Sequence, residues 1–151
     1  MALRNVVKVG DPILNKKSRV VEKFDERLSV LIDDMFDTMY AENGVGLAAV
    51  QVGMLKRVVV LDVGDGKIEL VNPEITMQEG QQEESEGCLS VPGEAGITRR
   101  PAKVQVKAQD RYGKWHVYTG EGLKARCFCH ELDHLEGILF TSRVIRKIEE
   151  K

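Results

Sequence analysis

The chain has 151 residues, of which 42% are hydrophobic and 30% charged, with a formal net charge of −2. That length can bury one core without disulfides or a structural metal, so residues 1–151 are expected to form a single domain. The charge balance offers no broad basic field for nucleic acid or anionic lipid, and no apolar run approaches the roughly 20 residues that span a bilayer.

The opening MALRNVVKVGDP lacks the apolar core of a signal peptide, so a cytoplasmic location is expected. The cysteines are odd in number, which points Cys88, Cys127 and Cys129 toward metal or catalytic chemistry rather than a disulfide framework. Asp25 can cap a helix near residues 26–41. There Leu28, Leu31, Ile32, Met35 and Met39 form one apolar stripe, and Asp33, Asp34 and Asp37 are left for solvent.

The glycine-rich GVGLAAVQVG follows. Gly44 to Ala49 fits G-x-G-x-x-A, and Asp62 stands where a ribose-binding acid could stand, which is the alternative of a nucleotide-binding module. Its context argues against that reading, because a helix precedes it instead of a strand and no room remains for a helix before Arg57. Such glycines also let backbone approach a ligand, with Gln51 as an amide donor beside them; a structural turn with Gln51 facing the core is the plainer alternative. Strands are expected at Arg57–Leu61, at Ile68–Val71 ending before Asn72-Pro73, at Ile75–Met77, at Val104–Ala108 and at His116–Tyr118. Turns at Gly64-Asp65-Gly66 and Tyr112-Gly113 separate some of them.

From about Gly122 the apolar period is helical again through Leu123, Cys127, Phe128, Leu132 and Leu135, and Gly137 is placed to stop a helix over 122–136. The expected class is α+β, a single domain with mainly antiparallel strands packed around a central helix that bears H-E-x-x-H. On that helix His130 and His134 are one turn apart and can aim both imidazoles at one ion. Glu131, beside His130, can reach water activated there without itself becoming a ligand. An accidental match on an exposed, charged helix face is the bland alternative, and the independently expected helix argues against it.

A catalytic metal of this kind needs a third protein ligand and an open position. Phe140 stands where a metzincin has its last histidine, and Glu149 and Glu150 fall in the charged tail. Cys127 lies seven residues before His134, about 10.5 Å of helical rise, too far for one ion to bond both. His116 stays open as a candidate, although it reads more simply as a partly exposed strand residue. Cys88, in a loop EGCLS, could be a small buried hydrophobe, yet beside a helix with two imidazoles it is the best completion.

GVGLAAVQ, EGCLS and HELDH, in that order and spacing, resemble the three signature motifs of the peptide deformylase family. The likeness extends to GDPIL, LVNPEI, SVPG and HLEGILF, about residues 8 to 140. It implies removal of the N-formyl group from the N-terminal formylmethionine of nascent polypeptides, with N-formylmethionyl chains as substrate partners and a transient ribosome contact. Some relatives make that contact through a C-terminal helix longer than the tail TSRVIRKIEEK. Residue by residue, the resemblance makes Cys88, His130 and His134 metal ligands and Glu131 the general acid/base. Gln51 and the Leu89 N–H become donors to the oxyanion. Val45, Leu123 and Cys127 become part of the methionine pocket, and Gly46 a backbone contact to the peptide. The implied ion is one divalent metal, natively Fe2+, with Zn2+, Ni2+ or Co2+ able to substitute. Two departures stand out: Cys129 where many members have Gln, expected to pack away from the metal, and Arg126 where some have an aliphatic residue, expected to line the pocket rim with its charge in water.

Overall fold

The architecture is a computed structural model, which describes residues 2–147. Helix α1 (Glu26–Ala41) begins at Asp25, whose side chain accepts the Leu28 N–H at 3.2 Å and so satisfies one of the orphan donors of the first turn. Its stripe of Leu28, Leu31, Ile32, Met35 and Met39 is buried as the period demands. Asp33 alone of the three aspartates is exposed: Asp34 is buried, because its carboxylate takes the Arg4 guanidinium at 3.0 Å, and Asp37 is half-buried.

After α1 come β1 (Gly46–Ala48), β2 (Val58–Leu61) and β3 (Ile68–Glu79), then β4 (Gln82–Cys88) and β5 (Val91–Arg100), and then β6 (Lys103–Gln109) and β7 (Trp115–Glu121). Helix α2 (Leu123–Leu135) and a last strand β8 (Val144–Lys147) follow. All pairings between these strands are antiparallel, in a five-stranded sheet ordered β1-β2-β3-β6-β7 and a three-stranded sheet ordered β4-β5-β8. The Gly44–Ala49 segment forms no strand–turn–helix: β1 leads only into a 3-10 turn, Ala49–Val52, so no long helix N-terminus exists there to receive a phosphate.

Asn72-Pro73 does not end a strand as expected. β3 runs through it because Asn72 turns to φ 52° at a register shift between Val71 and Glu74, where proline's missing N–H is not needed for the ladder. The Asn72 amide closes the bulge, accepting from the Val21 N–H at 2.8 Å and donating to the Val21 carbonyl and to Gln109 at 2.9 Å.

β2 explains the layering. Val58 and Val60 pack with the α1 stripe, while Val59 and Leu61 pack with Ala125, Phe128, Leu132 and Leu135 of α2. The five-stranded sheet therefore lies between the two helices, and the apolar run of β2 is buried on both faces. Gly137 ends α2 at φ 75°, and a Cβ there would lie 2.5 Å from the Asn15 carbonyl oxygen, so only glycine fits this stop. No helix among the described residues is long and apolar enough to cross a membrane.

Candidate active site

The three-stranded sheet meets α2 at its most polar face. Cys88 is the last residue of β4, not a loop residue, and a register shift between Gly87 and Cys88 turns the chain there. Its Sγ lies 3.3 Å from His134 Nε2, which lies 3.3 Å from His130 Nε2, and the three atoms fall within 4.8 Å of one another. The two rings, one helical turn apart, have centroids 4.9 Å apart and cross at 77°, so both Nε2 atoms face the sulfur.

The orientation of His130 is set by a residue the sequence reasoning missed. Glu86 Oε2 accepts the His130 Nδ1–H at 2.7 Å, which leaves Nε2 with its lone pair toward Cys88 and His134. Glu86 sits in a buried charge network: Arg100 donates to it at 3.1 and 2.5 Å, Arg126 at 2.9 Å and the Thr98 hydroxyl at 2.9 Å. Burial works against its charge, but the hydrogen bonds from His130 and Arg100 hold it well below the usual carboxylate range. Arg100 continues to Asp133 at 2.7 Å, which also takes Arg143.

Arg126 lines the cavity as expected, but its charge does not reach water. It is 4% exposed, and its guanidinium turns inward to Glu86 and Thr98 instead of reaching water. A buried carboxylate offered a ready partner, and pairing there avoids leaving either charge desolvated alone.

Glu131 is buried, with Oε2 3.8 Å from His130 Nε2 and Oε1 without a partner among the described residues. Burial pushes its carboxyl up to about 7, against the pull of His130, so it can both take and return a proton near neutrality. Burial and the neighbouring His130 lower His134 to about 3, which keeps that imidazole neutral. Burial opposes charge on His130 too, yet Glu131, Cys88 and Glu86 raise its proton affinity well above the ordinary value. A proton on His130 and a divalent cation answer the same excess of negative charge, and the donor set of one sulfur and two imidazole nitrogens fits such an ion.

Gln51 is 1% exposed, as a core-facing glutamine would be, yet it also borders the site. Its Oε1 accepts from the Ala48 N–H at 2.9 Å, and its Nε2 points to Ser90 Oγ at 3.1 Å and Cys88 Sγ at 3.5 Å. A cavity of about 400 Å³ opens here. Val45, Gly46, Gln51, Cys88, Leu89, Leu123, Cys127, His130 and Glu131 all line it, while His134 is fully buried behind. Val45 and Leu123 are 43% and 54% exposed at the mouth, unpartnered apolar surface next to a polar floor. A Cβ on Gly46 would lie 2.7 Å from Glu131 Oε2 and 2.8 Å from Cys127 Sγ, so β1 can run this close to α2 only as glycine.

The other candidates fall elsewhere. His116 is exposed on β7 and bonded to Asp110 at 2.8 Å. Cys129 faces a separate cleft with Asp133 and Arg143, and Glu149 and Glu150 lie outside the described residues.

The model of the family described as Polypeptide deformylase matches residues 3–150. The chain belongs to that family. Among peptide deformylases, that of Caldicellulosiruptor bescii is 60% identical over all of this chain and 91% of its own length. That of Acetivibrio thermocellus is 59% identical over 99% and 88%. The crystal structure of peptide deformylase from Thermotoga maritima superposes with a TM-score of 0.93 at 41% identity, covering 95% of this chain and 99% of that one. The peptide deformylase of Synechococcus elongatus in complex with actinonin gives 0.91 at 39% identity, covering 93% and 78%. As a peptide deformylase family member the chain is a metal-dependent hydrolase, and Cys88, His130 and His134 form its candidate metal site.

Proposed function

We propose that this chain removes the N-formyl group from the N-terminal formylmethionine of nascent polypeptides, releasing formate and a free amine. The observation that carries the reading is a buried carboxylate, Glu131, with one oxygen free of partners among the described residues, beside one thiol sulfur and two imidazoles at the floor of an apolar-mouthed cavity. Cys88, His130 and His134 would hold one divalent ion. We take Fe2+ as the native metal, with Zn2+, Ni2+ or Co2+ as substitutes, since a thiolate with two imidazoles suits both iron and zinc in softness. When bound, such an ion supplies Lewis acidity and makes water acidic enough to ionise near neutrality.

The chain's own groups do the rest. Glu131 takes the proton of the water that adds to the formyl carbon and returns it to the amine nitrogen as the C–N bond breaks. Gln51 Nε2 and the Leu89 N–H donate to the formyl oxygen as it becomes negative, each worth about 2.7–4 kcal/mol in comparable sites. Glu86 keeps the His130 proton on Nδ1. Val45, Leu123 and Cys127 receive the methionine side chain. Because β1 and β4 are the outer strands of their sheets and both border the cavity, an extended peptide can lie between them, touching backbone at Gly46. Nascent chains as substrate imply a cytoplasmic location and a transient contact with the ribosome.

The test is formate release by anaerobically prepared protein from a formyl-Met peptide, with an acetyl-Met peptide as control. Turnover of the formyl peptide that chelation abolishes and Fe2+ restores is expected. Absence of formate from fully metal-loaded protein would refute the reading.

A further inference from the structure

We infer that the segment from Arg4 to Val9 is a strap that positions both donors to the formyl oxygen, and this rests on the reading of Gln51 and the Leu89 N–H as those donors. The two lie on separate pieces of chain, one in the 3-10 turn after β1 and the other in the turn between β4 and β5. The side-chain ties between them come from one atom, Gln51 Nε2, which reaches Ser90 Oγ at 3.1 Å and Cys88 Sγ at 3.5 Å.

Three consecutive residues of the strap reach both pieces. The Val7 N–H donates to the Gln51 carbonyl at 2.7 Å, the Val9 N–H to the Ser90 carbonyl at 2.7 Å, and Lys8 Nζ to the Leu89 carbonyl at 3.4 Å. The Val7 side chain packs against the cluster of Leu14, Val91, Leu139 and Phe140, which also backs Cys88.

The far end is fastened to α1. The Arg4 N–H donates to Thr38 Oγ1 at 2.9 Å and Arg4 Nε to Asp34 Oδ2 at 3.0 Å, while the Ala2 N–H reaches Asp34 Oδ1 at 3.1 Å. Residues 2–8 belong to neither sheet nor helix, so without these fastenings ordering them would be opposed by backbone entropy. Fastened at both ends, the strap joins the Gln51 turn to the Leu89 turn through backbone, which matters because a misplacement of about 1 Å can cost about a hundredfold in rate. Val7 and Val9 are positioning residues; they touch no reacting atom.

The experiment measures kcat and KM of the metal-loaded protein on a formyl-Met peptide, with metal content and thermal unfolding recorded for each variant. Val7→Pro removes the N–H to Gln51, and Val7→Ala keeps it. Val7→Pro is expected to lower kcat about tenfold relative to Val7→Ala, with KM within about twofold and metal content unchanged. In a Gln51→Ala background it should add less than about twofold, because the group it positions is gone. An equal loss in both backgrounds, or unchanged kcat in folded Val7→Pro, overturns the strap. If Val7→Pro does not fold, Val9→Pro is compared with Val9→Ala at this exposed position: about a tenfold loss supports the strap, and unchanged kcat overturns it. Wild-type kcat in Gln51→Ala alone would instead sink the reading of Gln51 as donor, a failure visible before any strap variant is made.

Discussion

The two helices are near neighbours across one sheet, yet they are buried by different physics. α1 hides an apolar stripe and keeps most of its charge at the surface, so its burial is driven by hydrophobic area. α2 is buried over most of its 13 residues, and the buried set includes Arg126, His130, Glu131 and His134. Such groups are tolerable only with partners: Arg126, His130 and His134 find them on β4 and β5 at Glu86, Cys88 and Thr98, Asp133 pairs with Arg100 of β5, and Glu131 has His130 at 3.8 Å. The stability of α1 is thus largely a matter of packing with the five-stranded sheet. α2 is coupled to the three-stranded sheet through the same groups that make the site.

The comparison breaks most sharply at Glu131. Glu131→Ala should lower turnover by about 10²–10⁴-fold while metal content and unfolding temperature stay near wild type, since only proton transfer is removed. Metal analysis beside a formate assay checks this, and substantial residual turnover would remove Glu131 from the chemistry. Glu86→Ala should weaken both fold and site, because it strands Arg100 and Arg126 without their buried carboxylate, at a cost of about 3–5 kcal/mol. Denaturant unfolding and metal affinity should fall together; a loss of stability with metal affinity intact would uncouple Glu86 from His130.

On the other helix the signature reverses. Met35→Ala, fully buried in the α1 stripe, should cost about 2–5 kcal/mol of stability and leave kcat unchanged at a temperature where the protein is folded. Asp25→Ala should cost about 1 kcal/mol through the lost cap, again without a kinetic effect.

The smallest expected effect is at Tyr40, at the exit of α1. Burial and the hydrogen bond it donates to Asp62 at 2.7 Å push its phenol up to about 12 from 10.0. A raised pKa means that this bond contributes stability in full below pH 10, a contribution lost as pH rises through about 12. Tyr118 is also raised, by burial and the nearby Glu69 and Asp110, so ultraviolet titration should show more than one late tyrosine, of which the one near 12 moves back toward 10 in Asp62→Asn.

The same contrast decides how much could be read from the sequence. Both helices, the Gly137 stop and the paired histidines were legible because a 3.6-residue period and an i, i+4 spacing are local facts. The class of fold and four strands of the five-stranded sheet, β2, β3, β6 and β7, followed from β-branched runs such as Val58–Leu61, whereas β1 lay hidden in the glycine-rich GVGLAAVQVG. β4 and β5 were not legible: QEESEGC and VPGEAGITRR are polar and glycine-bearing, and what makes them strands is each other's backbone.

For the same reason Asp34 and the charge of Arg126 were misplaced. Periodicity assigns a helix face, but their partners, Arg4 and Glu86, lie 30 and 40 residues away. A signal for Glu86 did exist. It stands two residues before Cys88, and a metal-binding histidine ordinarily donates its second N–H to a carboxylate or carbonyl.

The central claim is that a sulfur from the three-stranded sheet and two nitrogens from α2 share one cation, and X-ray absorption at the metal edge of iron- or zinc-loaded protein tests it most directly. One sulfur scatterer at about 2.3 Å and two imidazole nitrogens at about 2.0–2.1 Å are expected for the zinc form, with the sulfur lost in Cys88→Ala. A spectrum without sulfur, or one that Cys88→Ala leaves unchanged, would contradict the account.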